Sequence, residues 1–284
     1  MSVVVVTDSS AYLEPAAVER WGISVVPLQV IIGGREFDDG AQIDAEGVAA
    51  ALREWTPVTT SRPAPQRFGD AYEGAAARGA TGVVSVHLSG EMSGTYEAAR
   101  LAAKEARIPV EVIDSRSIGM GLGFPVLAAA RAAAQGASLD EVAAAARTCA
   151  EGTRIFFYVN TLEHLRRGGR IGPAATLLGS ALAIKPLLHL ADGSIALLEK
   201  VRTTARALSH LEDLATSAAG ETLVNVAIQH LSNPTHATSL ATRLSARIPN
   251  LNHLTITEAG AAIAAHTGPG MLSVTISPAT SEPT

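Results

Sequence analysis

Two short polar clusters have the residue types and spacing to do chemistry: Thr59-Thr60-Ser61-Arg62-Pro63 and Ser89-Gly90-Glu91-Met92-Ser93-Gly94-Thr95. Each precedes a stretch with helical patterning. Hydroxyls, glycine-relaxed backbone and the free N–H groups of a helix start together suit an anionic head group. Thr60, Ser61 and Ser93 are the candidate contacts, and helix capping is the competing reading of all three. Neither cluster supplies a nucleophile–base pair. The serine of Gly90-Glu91-Met92-Ser93-Gly94 stands one place too late for the nucleophile elbow G-x-S-x-G, and no Gly-Lys-Ser/Thr follows to make a phosphate-binding loop. A serine hydrolase built on Ser93 and a distant His266 is the enzymatic alternative, but the sequence identifies no third group for it.

Further along the chain, His266 lies in the glycine-rich turn His266-Thr267-Gly268-Pro269-Gly270. It can donate to a carboxylate, more strongly if protonated, or simply support the turn. Arg166, Arg167 and Arg170 form the densest basic cluster. Arg170 follows two glycines, and its planar fork can hold an anion or order a site around one. Arg166 and Arg167 read as solvent-facing charges, and Arg202 as a surface cation able to meet an acidic partner. Asp8, Asp38, Asp39 and Asp114 fall near strand ends, where a phosphoryl-transfer enzyme would keep acids for magnesium, but no nucleotide motif joins them. Asp8 with Ser9 and Ser10 reads as a loop cap. The eight histidines include no His-Glu-x-x-His spacing, so no metal site is expected.

These residues need elements to position them. Residues 3–7, 82–86 and 110–113 read as strands, and helical patterns follow at 93–106, 117–134 and, behind a Ser138/Glu141 capping box, around Cys149. Such alternation predicts a mainly parallel sheet with helices, and ligands then belong beyond the C-terminal ends of the strands. Gly33-Gly34 and Asp192-Gly193 are hairpin signals. Residues 44–55, 173–182, 203–219 and 234–248 read as helices, and 222–228 and 253–257 as strands. The expected organisation is an N-terminal α/β domain over 1–155 and a C-terminal mixed α/β domain over 156–284.

The chain has 284 residues, of which 47% are hydrophobic and 17% charged, a globular balance. A net charge of -5 disfavours broad contact with nucleic acid or an anionic membrane. Cys149 is the single cysteine, so no intramolecular disulfide forms, and it reads as a small packing residue rather than a nucleophile. No basic leader precedes the first apolar run, and no apolar stretch has the length of a membrane span. A cytoplasmic protein without stable membrane insertion is expected.

The motifs taken in order resemble the DegV family over nearly the whole chain. The resemblance is carried by Thr7-Asp8-Ser9, Thr60-Ser61-Arg62-Pro63, residues 89–96, Leu162-Glu163-His164-Leu165-Arg166-Arg167-Gly168-Gly169-Arg170-Ile171, Lys185-Pro186-Leu187-Leu188 with Gly193, and residues 266–270. It implies a two-domain α/β fold with a fatty acid held between the domains. It also implies a carboxylate contacted by Thr60, Ser61, Ser93 and His266, with Arg170 in support. By the same resemblance the protein is a non-catalytic subunit that needs no cofactor of its own. It presents its long-chain fatty acid to an ATP-dependent kinase that forms the acyl phosphate, and Arg202 matches a position linked to docking of that partner. A serine-dependent esterase or acyltransferase, and a lipid-responsive regulator, are the alternatives. Ala64, Met92 and Ala98 depart from the usual serine, leucine and serine of the family, which leaves the proposed anchors intact.

Overall fold

The computed structural model describes residues 2–172 and 185–279. Two compact units are present: Met1–Ile43 with Thr60–Glu151, and Asp44–Thr59 with Gly152–Thr284. Each has its own sheet and its own apolar core.

The first unit is built on β1 (Val3–Asp8), β2 (Ser24–Val26), β6 (Gly82–His87) and β7 (Val110–Asp114), in the order β2-β1-β6-β7 and all parallel. The central strands are apolar on both faces, as a sheet covered by helices on each side requires. Val3, Val5, Val84 and Val86 pack with Leu122 and Val126 of α5 (Met120–Ala134) and Val142 of α6 (Leu139–Gly152). Val18 and Trp21 of α1 (Pro15–Trp21) join that layer. The alternate residues Val6 and Val83 pack with Phe68 and Tyr72 of α3 (Pro65–Ala77) and with Ala98 of α4 (Thr95–Ala103). Period-two alternation therefore sends the two halves of each strand into two separate cores. A small sheet adds β3 (Gln29–Ile32), β4 (Arg35–Asp38) and β5 (Val58–Ser61), in the order β4-β3-β5. Gly33 and Gly34, at φ 57° and 83°, turn β3 into β4 as the two-glycine signal predicts.

In the second unit six strands run in the order β10-β9-β8-β13-β11-β12. They are β8 (Arg154–Tyr158), β9 (Lys185–Ala191), β10 (Ser194–Val201), β11 (Val224–His230), β12 (Leu251–Glu258) and β13 (Leu272–Pro278). Only the β11–β12 pair is parallel. Leu208 and Leu211 of α8 (Thr204–Ala219) and Leu240 and Leu244 of α9 (Pro234–Arg247) close the core over Val226, Ile228, Val274 and Ile276. Asp192 and Gly193, both at positive φ, make the β9–β10 hairpin. In the same unit α2 (Ala45–Arg53), capped by Asp44, packs on α10 (Ala261–Thr267). Among the described residues the remaining α-helix is the short α7 (Glu163–Arg167). The predicted helix over 173–182 lies outside the described residues.

Several expected boundaries move, each for a local reason. Pro27 and Leu28 fall between β2 and β3, so the β-rich stretch from Ile23 to Ile32 forms two strands. Thr60 and Ser61 are strand residues; α3 begins at Pro65, where the missing proline N–H costs nothing, and Ala64 makes no side-chain cap. Ser93 is not the N-cap of α4 either. Gly94 holds that position, and Ser93 Oγ accepts from Thr95 N at 3.3 Å in a turn before the helix. The capping box is present: Ser138 donates to Glu141 Oε2 from both N and Oγ at 2.8 Å.

Candidate functional site

In the first unit the loops after β1, β6 and β7 meet at the C-terminal ends of parallel strands, the position where α/β sheets hold ligands. Direct hydrogen bonds tie them. Gly119 N donates to Ser10 O at 2.9 Å, Ser89 N to Ser117 O at 2.9 Å and Gly90 N to Asp114 Oδ2 at 3.2 Å. Ser9 Oγ donates to Asp39 Oδ2 at 2.7 Å and accepts from Leu28 N at 3.0 Å. The turn 89–94 closes on itself through Met92 N and Ser93 N, which both donate to Ser89 O at 3.1 Å. This frame holds Ser93 half-buried, with its Oγ 2.8 Å from Thr95 Oγ1. At the end of β5 Thr60 is half-buried and Ser61 exposed. The next residue, Arg62, lies against the same turn: a Cβ on Gly94 would stand 2.5 Å from its Nη1 and 2.9 Å from its Cδ.

Beneath this frame runs a polar chain the sequence reading did not anticipate. Tyr72 OH lies 2.9 Å from Ser85 Oγ, Ser85 Oγ 2.7 Å from His87 Nε2, and His87 Nδ1 3.0 Å from Asp8 Oδ2. All four residues are buried. Asp8 Oδ2 also accepts from Leu88 N at 3.0 Å, and Oδ1 from Ser10 N at 3.1 Å. Asp8 is thus the loop cap the sequence suggested and, in addition, the terminus of a relay. Donors and acceptors match along its length with the proton on Nδ1 of His87. Burial pushes the Tyr72 phenol up to about 12, against the pull of its bond to Ser85. The order serine–histidine–aspartate is that of a catalytic triad, yet Ser85 has no exposed surface for a substrate to reach. The relay supports the loop rather than reacting. Its one sequence signal was the spacing of Ser85 and His87, two residues apart and hence on the Val83 face of β6.

In the second unit, α7 runs into Gly168-Gly169-Arg170. Glu163 takes Arg166 at 2.9 and 2.7 Å and Arg167 at 2.7 Å, and the bonds from Arg166 and then Arg167 pull its carboxyl down to about 2. Those two arginines are exposed, as expected, and paired. Arg170 is half-buried and donates from Nη1 to Gly168 O. The turn after α10 locks against this segment. A Cβ on Gly168 would stand 2.1 Å from His266 Nδ1, one on Gly268 2.3 Å from His164 Cδ2, and one on Gly270 1.9 Å from Asn160 Nδ2. Gly268 and Gly270 also sit at φ 68° and 88°. Asn160 Nδ2 donates to Pro269 O and Asn233 Nδ2 to Gly270 O, both at 3.1 Å. Burial, then the charge of Arg170, drives His266 down to about 4. The imidazole beside Arg170 is therefore neutral near pH 7, which removes the protonated form considered from sequence.

The structure thus lays Arg62 against Gly94, the residue after Ser93, in the first unit, and Arg170 beside His266 in the second. Arg202 is exposed in the turn before α8, next to Thr203, which caps that helix by accepting from Arg206 N at 3.3 Å. Cys149 is half-buried on α6. Among the described residues, no group of three or more His, Cys, Asp or Glu side chains is placed to hold a metal ion, and no helix is long and apolar enough to cross a membrane.

The model of the family described as uncharacterised protein, DegV family, matches residues 2–279. The chain belongs to the DegV family. A DegV domain-containing protein of Streptomyces coelicolor is 51% identical over 275 residues, covering 97% of this chain and 98% of that one. Two solved DegV structures share the fold over 98% of this chain and 100% of theirs. One is from a study of fatty acid binding by a DegV family protein of Thermus thermophilus, with TM-score 0.93 and 32% identity. The other is DegV, a fatty acid binding protein from Bacillus subtilis, with TM-score 0.90 and 29% identity. The expected two-domain α/β DegV-like fold is therefore the observed one.

Proposed function

We propose that this protein binds a long-chain fatty acid reversibly and does not itself transform it. The observation that carries this reading is the full-length likeness to DegV proteins that bind fatty acids, at TM-scores of 0.93 and 0.90. In this reading Thr60, Ser61, Ser93 and His266 hydrogen-bond the carboxylate, with Arg170 supplying charge. A neutral His266 suits that task, because it can donate one hydrogen bond without adding a second cation beside Arg170. The acyl tail supplies most of the affinity: roughly 0.8 kcal/mol per buried methylene gives ~11 kcal/mol for ~14 methylenes before the costs of association. The polar groups orient the acid and keep its charge from being buried unpaired.

The same reading assigns a partner. The carrier presents the carboxylate to an ATP-dependent kinase of the cytoplasm, which forms the acyl phosphate, and Arg202 is a docking contact. This rests on the family resemblance and on the exposure of Arg202. Native mass measurement before and after denaturation, with organic extraction of what is released, tests the carrier. A mass lost on denaturation and recovered as free fatty acid is expected. A stable adduct on Ser93 would instead establish acyl chemistry, and a protein that neither carries nor takes up a fatty acid would overturn the reading. For the partner, Arg202→Ala is expected to slow kinase turnover while fatty-acid retention stays unchanged; equal loss of both defeats the docking role.

A further inference from the structure

The hydroxyls assigned to the head group in the first unit are uncharged. A serine or threonine hydroxyl donates more strongly to a carboxylate than to an alcohol or an ester, but it brings no countercharge, so Thr60, Ser61 and Ser93 leave the charge of an ionised ligand uncompensated in this unit. A cation lies against the same turn. Arg62 follows the last residue of β5 and precedes Pro63 and Pro65, which restrict the backbone on its C-terminal side. Its side chain crosses Gly94, with Nη1 and Cδ in the space a Cβ would need. Gly94 is the residue after Ser93 and the N-cap of α4, where no side chain caps the helix.

Several other arginines of the first unit are engaged differently. Arg67 pairs with Asp38, Arg100 with Glu97, Arg107 with Glu73 and Arg147 with Glu111. Among the described residues no carboxylate pairs with Arg62, which is held against the turn by its packing on Gly94. A guanidinium placed by packing keeps its planar fork of donors for an incoming anion, and a carboxylate is the anion that fork matches in two-point fashion. In the second unit, by contrast, Nη1 of Arg170 is committed to the Gly168 carbonyl.

We propose that Arg62 reads the charge of the ligand: its guanidinium bonds the ionised carboxylate at the Ser93 turn, so that the protein selects fatty acids over neutral lipids with the same tail. This rests on the reading of Ser93 as a head-group residue. Gly94 has a matching role, since its missing side chain is what lets the guanidinium lie there. Arg62 is exposed and Gly94 has an ordinary helix-cap φ of -73°, so changes at either leave the fold intact.

The test uses the full chain stripped of lipid, with palmitate, hexadecanol and methyl palmitate competing against a fluorescent fatty acid. Arg62→Gln is expected to weaken palmitate about tenfold and to leave hexadecanol and methyl palmitate within about twofold. The palmitate advantage of the wild type should shrink as salt is raised, and Arg62→Lys should restore part of it, because it returns the charge without the fork. Gly94→Ala keeps the arginine but displaces it, and should reproduce the selective loss of palmitate. Equal weakening of acid, alcohol and ester by Arg62→Gln would reduce the residue to a packing element and overturn the proposal, as would no change in any of the three. A wild-type protein that takes none of the three ligands defeats the fatty-acid reading itself. A wild-type protein that binds palmitate and is insensitive to Arg62→Gln defeats the charge reader alone.

Discussion

His87 and His266 show two ways of placing a histidine near a proposed ligand site. In the first unit His87 is buried against a carboxylate, Asp8, at 3.0 Å, and its other nitrogen meets Ser85 at 2.7 Å. In the second unit His266 is half-buried against a cation, Arg170, and is driven to the neutral form. The first arrangement is a closed relay whose end bonds the backbone N–H of Leu88, so its effect is to hold a loop still. The second depends on glycines that let an imidazole approach a neighbouring backbone more closely than any side chain would allow. One region is ordered by hydrogen bonds and the other by the absence of Cβ atoms. They should therefore fail differently.

The sharpest contrast is in stability. Asp8→Ala removes the acceptor of His87, Leu88 N and Ser10 N together and strands a buried polar chain. A loss of about 3–5 kcal/mol in chemical denaturation is expected, as when one member of a buried pair is deleted. A change under about 1 kcal/mol would mean that water replaces the carboxylate, and the relay would lose its supporting role. The second contrast is in pH. An unfolded histidine titrates near 6.5 and His266 in the folded chain near 4. Between those values the unfolded chain binds more protons, so acid favours unfolding. The stability His266 contributes by staying neutral is complete above about pH 6.5 and is lost as pH falls toward 4, at most about 3 kcal/mol in all. His164, His189 and His230 are shifted down by burial as well and add the same sign in the same unit. Glu163 acts lower, between its ordinary 4.5 and about 2, so its loss is separable. His266→Gln should flatten the denaturation midpoint against pH between 6.5 and 4; an unchanged slope would show that other groups carry it. Gly168→Ala should come next, with about 1–3 kcal/mol lost because His266 must move, and with weaker fatty-acid binding as a consequence. Retained affinity at Gly168→Ala would separate His266 from the head group.

Much of this was legible in the sequence, because local rules and tertiary packing agree there. The runs at β1 and β6 are valine-rich on both faces, as strands buried on both sides must be, and Gly33-Gly34 and Asp192-Gly193 turn where their dipeptides allow. Helix α4 starts two residues after the expected position 93, and α3 starts at Pro65, beyond both of its cap candidates. Thr60, Ser61 and Ser93 have good cap chemistry, but tertiary pairing drew the first two into β5 and a turn tied to Ser89 took the third. The relay is not legible locally, because a lone histidine such as His87 at a strand end carries no motif and its partner Asp8 is 79 residues away in the chain. Arg62 was visible only as a letter in a motif; its contact with Gly94 is tertiary.

The smallest expected effect bears most directly on what the first region is for. Ser93→Ala deletes a half-buried hydroxyl whose structural bonds are local, to Thr95 Oγ1 and Thr95 N. Stability should change by less than about 1 kcal/mol, since the turn keeps its backbone bonds to Ser89 O. If the carboxylate takes a hydrogen bond from that hydroxyl, fatty-acid affinity should fall about tenfold, the usual weight of one charge-assisted bond. A head-group contact would lose affinity with stability nearly unchanged. A pure turn residue would lose stability with affinity unchanged, whereas a member of the Asp8 relay would lose both together. The observed pairing of Ser93 with Thr95 rather than with His87 favours the first pattern, because nothing in the relay needs that hydroxyl.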